Sequence, residues 1–493
     1  MKNKDLKLFL IILILVLLVV ALLYCFLKND TKISNKENLQ TTIENVETSY
    51  KSSETSNEIG EYTAKITLND DKINATGTGV TINNNIITIT KTGTYYVTGT
   101  TADASIRVDC SQDGDVQIVL DNANITSKTT APINGIKADN LIITLAENSV
   151  NYLTDSENYI DFTDTEKQEP DGTLFTKTDL VINGSGKLVI DSNYQDGIVS
   201  KDSLKIINAE IEITSADDGI RGKDYVAINN ANITIEATKK GIRSTNTEDS
   251  SLGYVIIDSG TININKSYEG IEARLIKING GTVNIMASDD GINASDGSTK
   301  EGMMRKNNMM GQSQNDSNVA IIINGGEIYI NASGDGIDSN GSVYINGGKT
   351  VVAGPTSEGD SSLDYDGTCV MTGGELICYG SIGMWQSISN DSSVCELVFY
   401  NSGNTGDKIT IKDGSGNEIE SFETSKQYSG IGFASSKIEN GKSYTLYVNG
   451  EEKTTITAND TVTSNGNNKM ENRNPRNLTR GEEKEPKNFK QIP

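Results

Sequence analysis

The feature that most constrains the fold is a short phrase that returns along the chain at a nearly fixed step. One clear copy is "ADDGIRGKD", Ala216 to Asp224. The glycine of the phrase recurs at Gly197, Gly219, Gly241, Gly270, Gly291 and Gly336, with spacings of 22, 22, 29, 21 and 45 residues. A period of about 22 residues, lengthened at two places by insertions of about 7 and about 23 residues, is typical of a solenoid.

Each repeat also contains two short strands joined by an Asn/Gly turn. Apolar and polar residues alternate in "EIEIT", "NITIE", "TININ", "TVNIM" and "EIYIN". This period of two predicts strands with Ile or Val on one buried face. Since no helical pattern separates the strands, we expect an all-β parallel β-helix with coils of about 22 residues. A leucine-rich repeat is the nearest alternative, but its L-x-x-L-x-L scaffold is missing.

The residues before the repeated glycines form a predicted ladder of charged groups. Equivalent positions in neighbouring coils of a β-helix lie about 4.8 Å apart. The members of this ladder are Asp196, Asp218, Lys240, Glu269, Asp290 and Asp335. Like charges at that separation repel by roughly 3 kcal/mol at an effective dielectric constant of about 20. The ladder therefore needs cations, from the protein or from solution.

Two kinds of compensation are available to these carboxylates. Lys240, with Arg221, Lys223 and Arg243 nearby, can neutralise part of the ladder. The remaining acids form two oxygen-rich groups of the kind that Ca²⁺ prefers. The predicted calcium ligands are Asp196, Asp217 and Asp218 in one group and Asp289, Asp290, Asp335 and Asp338 in the other. The alternative is that Asp and Gly only form the corner of each coil.

Composition excludes several classes of function. The formal net charge is −24, from 67 acidic and 43 basic residues, so we expect no nucleic-acid partner. The chain has no histidine, which excludes Ser-His-Asp and Cys-His catalysis. Its five cysteines include no CxxC pair, which disfavours a zinc site. Free thiols are expected, with a bridge between Cys369 and Cys378 as the alternative.

The chain divides into five predicted segments. The uninterrupted apolar run from Leu8 to Leu27 has 20 residues, enough to cross a bilayer core of about 30 Å. We expect a membrane-anchored, single-pass protein at the cell membrane, with the bulk of the chain outside the cell. The predicted segments are the anchor at 1–28, a disordered linker at 29–58, the β-helix at 59–395, a small all-β appendage at 396–463 and a disordered tail at 464–493. The Met-rich insertion at 296–318 is predicted to be a loop.

The sequence resembles the bacterial, largely clostridial, carbohydrate-binding domain-containing proteins, which adopt a pectate-lyase-like right-handed parallel β-helix. Stretches that carry the resemblance include "ITKTGTYYVTGT", "VQIVLDNANITS", "YQDGIVSKDSLKI" and "DDGIRGKDYVAI", within about residues 60 to 450. It implies a surface protein that binds plant-type polysaccharide, either cellulose or acidic pectin-like sugars, with calcium in the cleft. Five acids match the family's D-G-I positions: Asp196, Asp217, Asp218, Asp290 and Asp335. Lys240 and Glu269 depart from that pattern.

Three functions follow from these observations. The first is a calcium-containing carbohydrate-binding module without catalytic residues. Its predicted sugar-binding residues are Arg221, Lys223, Arg243, Glu269 and Trp385. The second is a pectate lyase with Lys240 or Arg221 as the base, although carboxylates beside a lysine raise its pKa and oppose that role. The third is a structural adhesin or spacer that needs no ligand.

Overall fold

The structure is a computed structural model that describes residues 48–55, 59–297 and 318–466. The predicted anchor, most of the linker, most of the Met-rich insertion and nearly all of the tail lie outside these residues. Among the described residues, no helix has the length and apolar character needed to cross a membrane.

Apart from one four-residue helix, the regular elements of the described chain are β-strands. Before the repeats come α1 (Ser52–Thr55), β1 (Ala64–Leu68), β2 (Asn74–Gly77), β3 (Val80–Asn83), β4 (Ile86–Ile89), β5 (Gly93–Thr101), β6 (Ser105–Asp109), β7 (Asp115–Thr126), β8 (Ile133–Lys137), β9 (Asn140–Leu145) and β10 (Val150–Thr154). The repeats contribute β11 (Gly172–Thr176), β12 (Asp179–Gly184), β13 (Lys187–Ser192), β14 (Asp196–Ser200), β15 (Ser203–Ile207), β16 (Glu210–Ser215), β17 (Ile220–Gly222), β18 (Tyr225–Asn229), β19 (Ala231–Ala237), β20 (Lys240–Ser244), β21 (Tyr254–Ile257), β22 (Gly260–Ser267), β23 (Glu269–Ala273), β24 (Leu275–Ile278), β25 (Thr282–Ala287), β26 (Ile292–Ala294), β27 (Ala320–Ile323), β28 (Glu327–Ala332), β29 (Ile337–Ser339), β30 (Ser342–Ile345), β31 (Lys349–Ala353), β32 (Leu363–Tyr365), β33 (Cys369–Met371) and β34 (Glu375–Gly380). The last strands are β35 (Cys395–Phe399), β36 (Lys408–Asp413), β37 (Glu418–Glu423), β38 (Gly430–Ser435), β39 (Ser443–Val448), β40 (Glu451–Thr457) and β41 (Val462–Ser464).

The repeats wind through three parallel stacks of strands, two of which belong to one 25-stranded sheet, and each coil adds one strand to each stack. One coil, for example, consists of β14, β15 and β16, which pair in parallel with β17, β18 and β19 of the next coil. The strands that contain the D-G-I phrase or follow it directly belong to one 12-stranded sheet, here called the ladder sheet, which begins with β3, β4, β6 and β8. The predicted all-β, parallel architecture is confirmed.

Packing in the core explains why glycine and isoleucine recur in the D-G-I phrase. The isoleucine after each repeated glycine points inward, and Ile198, Ile220 and Ile242 pair in register and are fully buried. The glycine allows close approach of the coils, because a Cβ at Gly219 would lie 2.6 Å from the carbonyl oxygen of Gly241. The repeat therefore encodes a tight inner corner as well as a charged rung.

The C-terminal region is partly joined to the β-helix and partly a sheet of its own. β34 pairs in antiparallel fashion with β38, which also pairs with β35, whereas β36, β37, β39 and β40 form a separate four-stranded sheet. The predicted boundary between residues 395 and 396 falls inside β35. The four described cysteines, Cys110, Cys369, Cys378 and Cys395, carry free thiols, so the alternative Cys369 to Cys378 bridge is not formed.

The last part of the predicted linker also differs from expectation. Residues 48–55 lie against the β-helix, where Glu54 forms a buried ion pair with Lys205 at 2.9 Å. The Tyr50 hydroxyl donates a hydrogen bond to Asp258 at 2.7 Å, and Asn183 donates one to the Glu54 carbonyl at 2.8 Å. The physical reason is that Lys205 stands on a buried strand and needs a counter-charge.

Candidate functional site

The aspartates of the ladder hold neighbouring coils together. The backbone N–H of Asp218 donates to Asp196 Oδ1 at 3.0 Å, and the N–H of Lys240 donates to Asp218 Oδ1 at 3.0 Å. The same bond joins Asp335 to Asp290 at 2.8 Å. Each of these carboxylates therefore satisfies a backbone donor in the next coil, which gives the recurring Asp a structural role in addition to any ligand role.

A second column of polar side chains runs beside the first. From Gly219 onward it consists of the residue two positions after each repeated glycine, and Asp364, two positions after Ser362, continues it. Its members pair in register along the ladder sheet: Arg221, Arg243, Glu272, Asn293, Asp338 and Asp364. The two columns together make a strip of charge. Cations occupy its first part, whereas its last part is acidic.

In the first part of the strip, ion pairs neutralise the acids. Arg221 contacts Asp196 at 2.5 Å and Asp171 at 2.8 Å, and Lys201 also contacts Asp171 at 2.8 Å. Arg243 lies 3.6 Å from Asp218. We call this part, from β11 to β23, the paired half.

Lys240 is the last cation of the paired half. It contacts Glu269, and its Nζ lies 3.1 Å from Glu272 Oε2. Burial lowers the pKa of Lys240, but the hydrogen bond to Glu269 and the charges of Glu272 and Glu269 outweigh it, so the pKa lies above its usual value. Burial likewise lowers the pKa of Arg221, and Asp196 and Asp171 raise it by more. Both side chains are therefore held in their charged forms.

The first predicted calcium group comes together in the structure. Asp196, Asp217 and Asp218 each place one oxygen within 4.8 Å of the others. However, Arg221 Nε binds Oδ2 of Asp196 and the Asp218 N–H binds Oδ1, so both oxygens already have protein donors. Calcium at this group has to compete with Arg221.

The second predicted group gains a member. Glu269, predicted to bind sugar, joins Asp289 and Asp290, with one oxygen of each within 4.8 Å of the others. Asp335 lies on the next rung, and Asp338 belongs to the second column. Among the described residues, no Lys or Arg forms an ion pair with Asp289, Asp290, Asp335, Asp338 or Asp364. We call the strip from β26 to β32, with Asp289 and Asp290, the open half.

Crowding in the open half disfavours the charged carboxylates. Burial raises the pKa of Asp338 to about 8, and the negative charges of Asp290 and Asp335 add to the effect. Burial also raises the pKa of Asp290 to about 7 and that of Asp335 to about 6. A half-buried cluster of carboxylates without cations fits the oxygen-rich donor set of Ca²⁺.

Comparison with known proteins identifies the family. The sequence profile of the carbohydrate-binding domain-containing protein family matches residues 83–360. The chain belongs to this family. A carbohydrate-binding domain-containing protein of Acetivibrio thermocellus is 42% identical over 222 residues, which cover 45% of this chain and 77% of the relative. A solved structure, that of the polysaccharide lyase-like protein from C. thermocellum as a gadolinium derivative, is 28% identical, covers 63% of this chain and 97% of its own, and has a TM-score of 0.43.

Two predicted sugar-binding residues of this family member lie away from the strip's centre. Lys223 is exposed, one residue beyond the end of β17. Trp385 is half-buried against the hydrophobic core at the C-terminal end of the coils, and its Nε1–H donates to Ser387 at 3.3 Å. Trp385 thus caps the core, as aromatic residues near the end of a repeat array often do.

Sequence reasoning missed several members of the strip. Asp171 precedes Gly172 in "PDGTLF", but Gly172 pairs with Asp196, so Asp171 lies one position before the rung. Asp364 stands in "SSLDYD", a copy in which serine replaces the glycine. Asp364 was therefore visible as the outermost member of the repeat, whereas Asp171 was not. Glu272 occupies the position equivalent to Arg243, and extending the column by one coil would have found it.

Proposed function

We propose that this chain is a membrane-anchored extracellular protein that binds plant-type polysaccharide and holds calcium in the open half of the charged strip. Family membership supports the carbohydrate ligand. The observation on which the calcium rests is the cluster of Glu269, Asp289 and Asp290, whose oxygens lie within 4.8 Å of one another. The apolar run from Leu8 to Leu27 supports the membrane anchor.

The proposed ligand sets differ in strength. Glu269, Asp289 and Asp290 form the principal site, in which Lys240 contacts Glu269 alone, and Asp335 and Asp338 supply further negative charge. Asp196, Asp217 and Asp218 form a weaker site, because Arg221 and Arg243 contact two of its three carboxylates. Bound Ca²⁺ would bridge protein carboxylates to hydroxyl or carboxylate groups of a sugar.

The cations of the paired half complete the proposed binding strip. Arg243 is about one-third exposed, so its guanidinium has free donors for a sugar carboxylate or hydroxyl group. Arg221 is less exposed and mainly neutralises Asp171 and Asp196. A linear polymer that lies along the coils would meet a mixed cationic and acidic strip.

A lyase reaction is less well supported. It needs a base near a calcium-bound uronate, and the candidates are Lys240 and Arg221. Both form ion pairs with two carboxylates, and their pKa values lie above the usual ones. A protonated side chain cannot remove a proton, so these residues suit binding and not catalysis.

The experiment is calorimetric titration of the full-length chain in detergent with oligogalacturonate and with cello-oligosaccharide, in calcium and in chelator. We expect binding of the acidic sugar in calcium, and its loss in chelator or in the Asp289→Asn/Asp290→Asn variant. Asp113→Asn, at an exposed position outside the strip, is the matched control. Equal binding with and without calcium contradicts the calcium role. Release of unsaturated product from polygalacturonate identifies a lyase instead.

A further inference from the structure

A long excursion leaves the coils just before the first aspartate rung. Between β10 and β11 the chain runs through 17 residues, 155–171, where the neighbouring coils turn in far fewer. The backbone N–H of Ile160 donates to the carbonyl of Thr129 at 2.9 Å, which fixes the excursion against the preceding coil.

A buried carboxylate organises this excursion. Asp155 is 3% exposed and accepts hydrogen bonds from the Tyr159 hydroxyl at 2.6 Å and the Thr173 hydroxyl at 2.9 Å. It also accepts the backbone N–H of Asn193 at 2.5 Å. Asp155 thereby ties the excursion to the residues that lead into Asp196.

The result is an ordered group of aromatic rings at the surface. Tyr159 is buried and stacks on Tyr194, with ring centroids 4.2 Å apart and an interplanar angle of 18°. Phe162 lies 6.4 Å from Tyr194, and both are half-buried. Ile160 beside them is 78% exposed. We call Phe162 and Tyr194, with the neighbouring Ile160, the aromatic platform. It is preformed, because Tyr159 contacts both rings and Asp155 accepts hydrogen bonds from the Tyr159 hydroxyl and the Tyr194 backbone N–H.

The surroundings of the platform indicate the charge of its ligand. Residues 155–171 contain seven carboxylates and one lysine. Four cations outside this segment, Arg107, Lys177, Lys201 and Arg221, form ion pairs with its carboxylates. A polyuronate would be repelled here. An uncharged sugar is not, and the apolar C–H face of a pyranose ring packs on an aromatic face while its hydroxyl groups bind polar neighbours.

We propose that the aromatic platform is a binding subsite for a neutral hexose unit of a polysaccharide. This inference rests on the proposed carbohydrate-binding function and adds to it a site that does not use calcium. Tyr194 stands two residues before Asp196, so the platform lies at the start of the charged strip. A neutral chain would stack here, whereas an acidic chain would bind at the open half.

The test compares the two sugars on the full-length chain in detergent. We expect Tyr194→Ala and Phe162→Ala to weaken binding of cello-oligosaccharide by about tenfold or more and to leave oligogalacturonate binding unchanged. Chelator should abolish only the binding of oligogalacturonate. Tyr152→Ala is the matched control, because Tyr152 is 42% exposed but belongs to β10, outside the ladder sheet.

Two further variants separate stacking from folding. Tyr194→Phe keeps the ring and should bind cello-oligosaccharide like the wild type. Ile160→Ala removes a side chain that is 78% exposed, so it cannot unfold the core, and we expect a loss of about threefold. The subsite alone is overturned if Tyr194→Ala binds cello-oligosaccharide as well as the wild type does. It is also overturned if the wild type binds oligogalacturonate but not cello-oligosaccharide. A wild type that binds neither sugar overturns the carbohydrate-binding function.

Discussion

The paired half and the open half occupy the same positions of the same repeat, yet they manage negative charge in opposite ways. In the paired half, Arg221, Arg243 and Lys240 each contact two carboxylates. In the open half, Asp338 stands where Arg221 and Arg243 stand, and its pKa is raised to about 8. In both halves the rung carboxylates accept backbone N–H groups of the next coil, so this structural role does not depend on a neighbouring cation. The sign of the second column decides whether the rung is a sealed structural element or an open cation site.

The largest effect should come from removing the central cation of the paired half. Arg221→Met leaves Asp196 buried without its counter-charge and leaves Asp171 with Lys201 alone, and we expect the free energy of unfolding to fall by about 3 kcal/mol. Urea unfolding in chelator measures this. Lys223→Met, at an exposed position on the same coil, should change stability by less than about 0.5 kcal/mol. Equal effects of the two changes would show that the ion pairs do not define the paired half.

Calcium should act on the open half by a comparable amount. An ion that binds only the folded chain, at about 100 times its Kd, stabilises it by about 2.7 kcal/mol. We expect calcium to raise the thermal midpoint of the wild type and of Asp217→Asn, since the principal site lies elsewhere. In Asp289→Asn/Asp290→Asn the increase should fall to the small contribution of the weaker site. A midpoint that calcium raises equally in that double variant places the ion outside the open half.

The pH dependence of the calcium-free chain should also separate the halves. The pKa values of Asp290, Asp335 and Asp338 are raised to about 7, 6 and 8, above those of the unfolded chain near 4. Stability from these groups is therefore complete below about pH 4 and is lost as pH rises through 6 to 8. We expect a loss on the order of 2 kcal/mol between pH 5 and 8, reduced for partial exposure. Asp338→Asn should flatten the profile measured by urea unfolding in chelator, and an unchanged profile contradicts the crowding.

Much of this architecture could be predicted from the sequence, because the same residue pattern, and with it the same contact, recurs in each coil. The order of rungs from Asp196 to Asp335 follows from the glycine spacing alone. The division into halves could not be predicted, since it depends on which cation reaches which acid. Arg221 contacts Asp171, 50 residues away and one position out of register with the aspartate rungs. The pairing of Lys205 with Glu54 was equally hidden, because Glu54 lies outside the periodic region.

Lys240 marks the border between the two halves, and its replacement should move that border at a small cost. Lys240→Gln keeps a hydrogen-bond donor beside Glu269 and Glu272 but removes the charge, so we expect a loss of about 1 kcal/mol in urea unfolding. Glu269 is then free for the cation shared with Asp289 and Asp290, and calcium affinity should rise severalfold in calorimetric titration. Lys239→Gln, the exposed neighbour, is the control. Unchanged calcium affinity in Lys240→Gln would mean that Glu269 belongs to the paired half alone and that the cation site begins at Asp289.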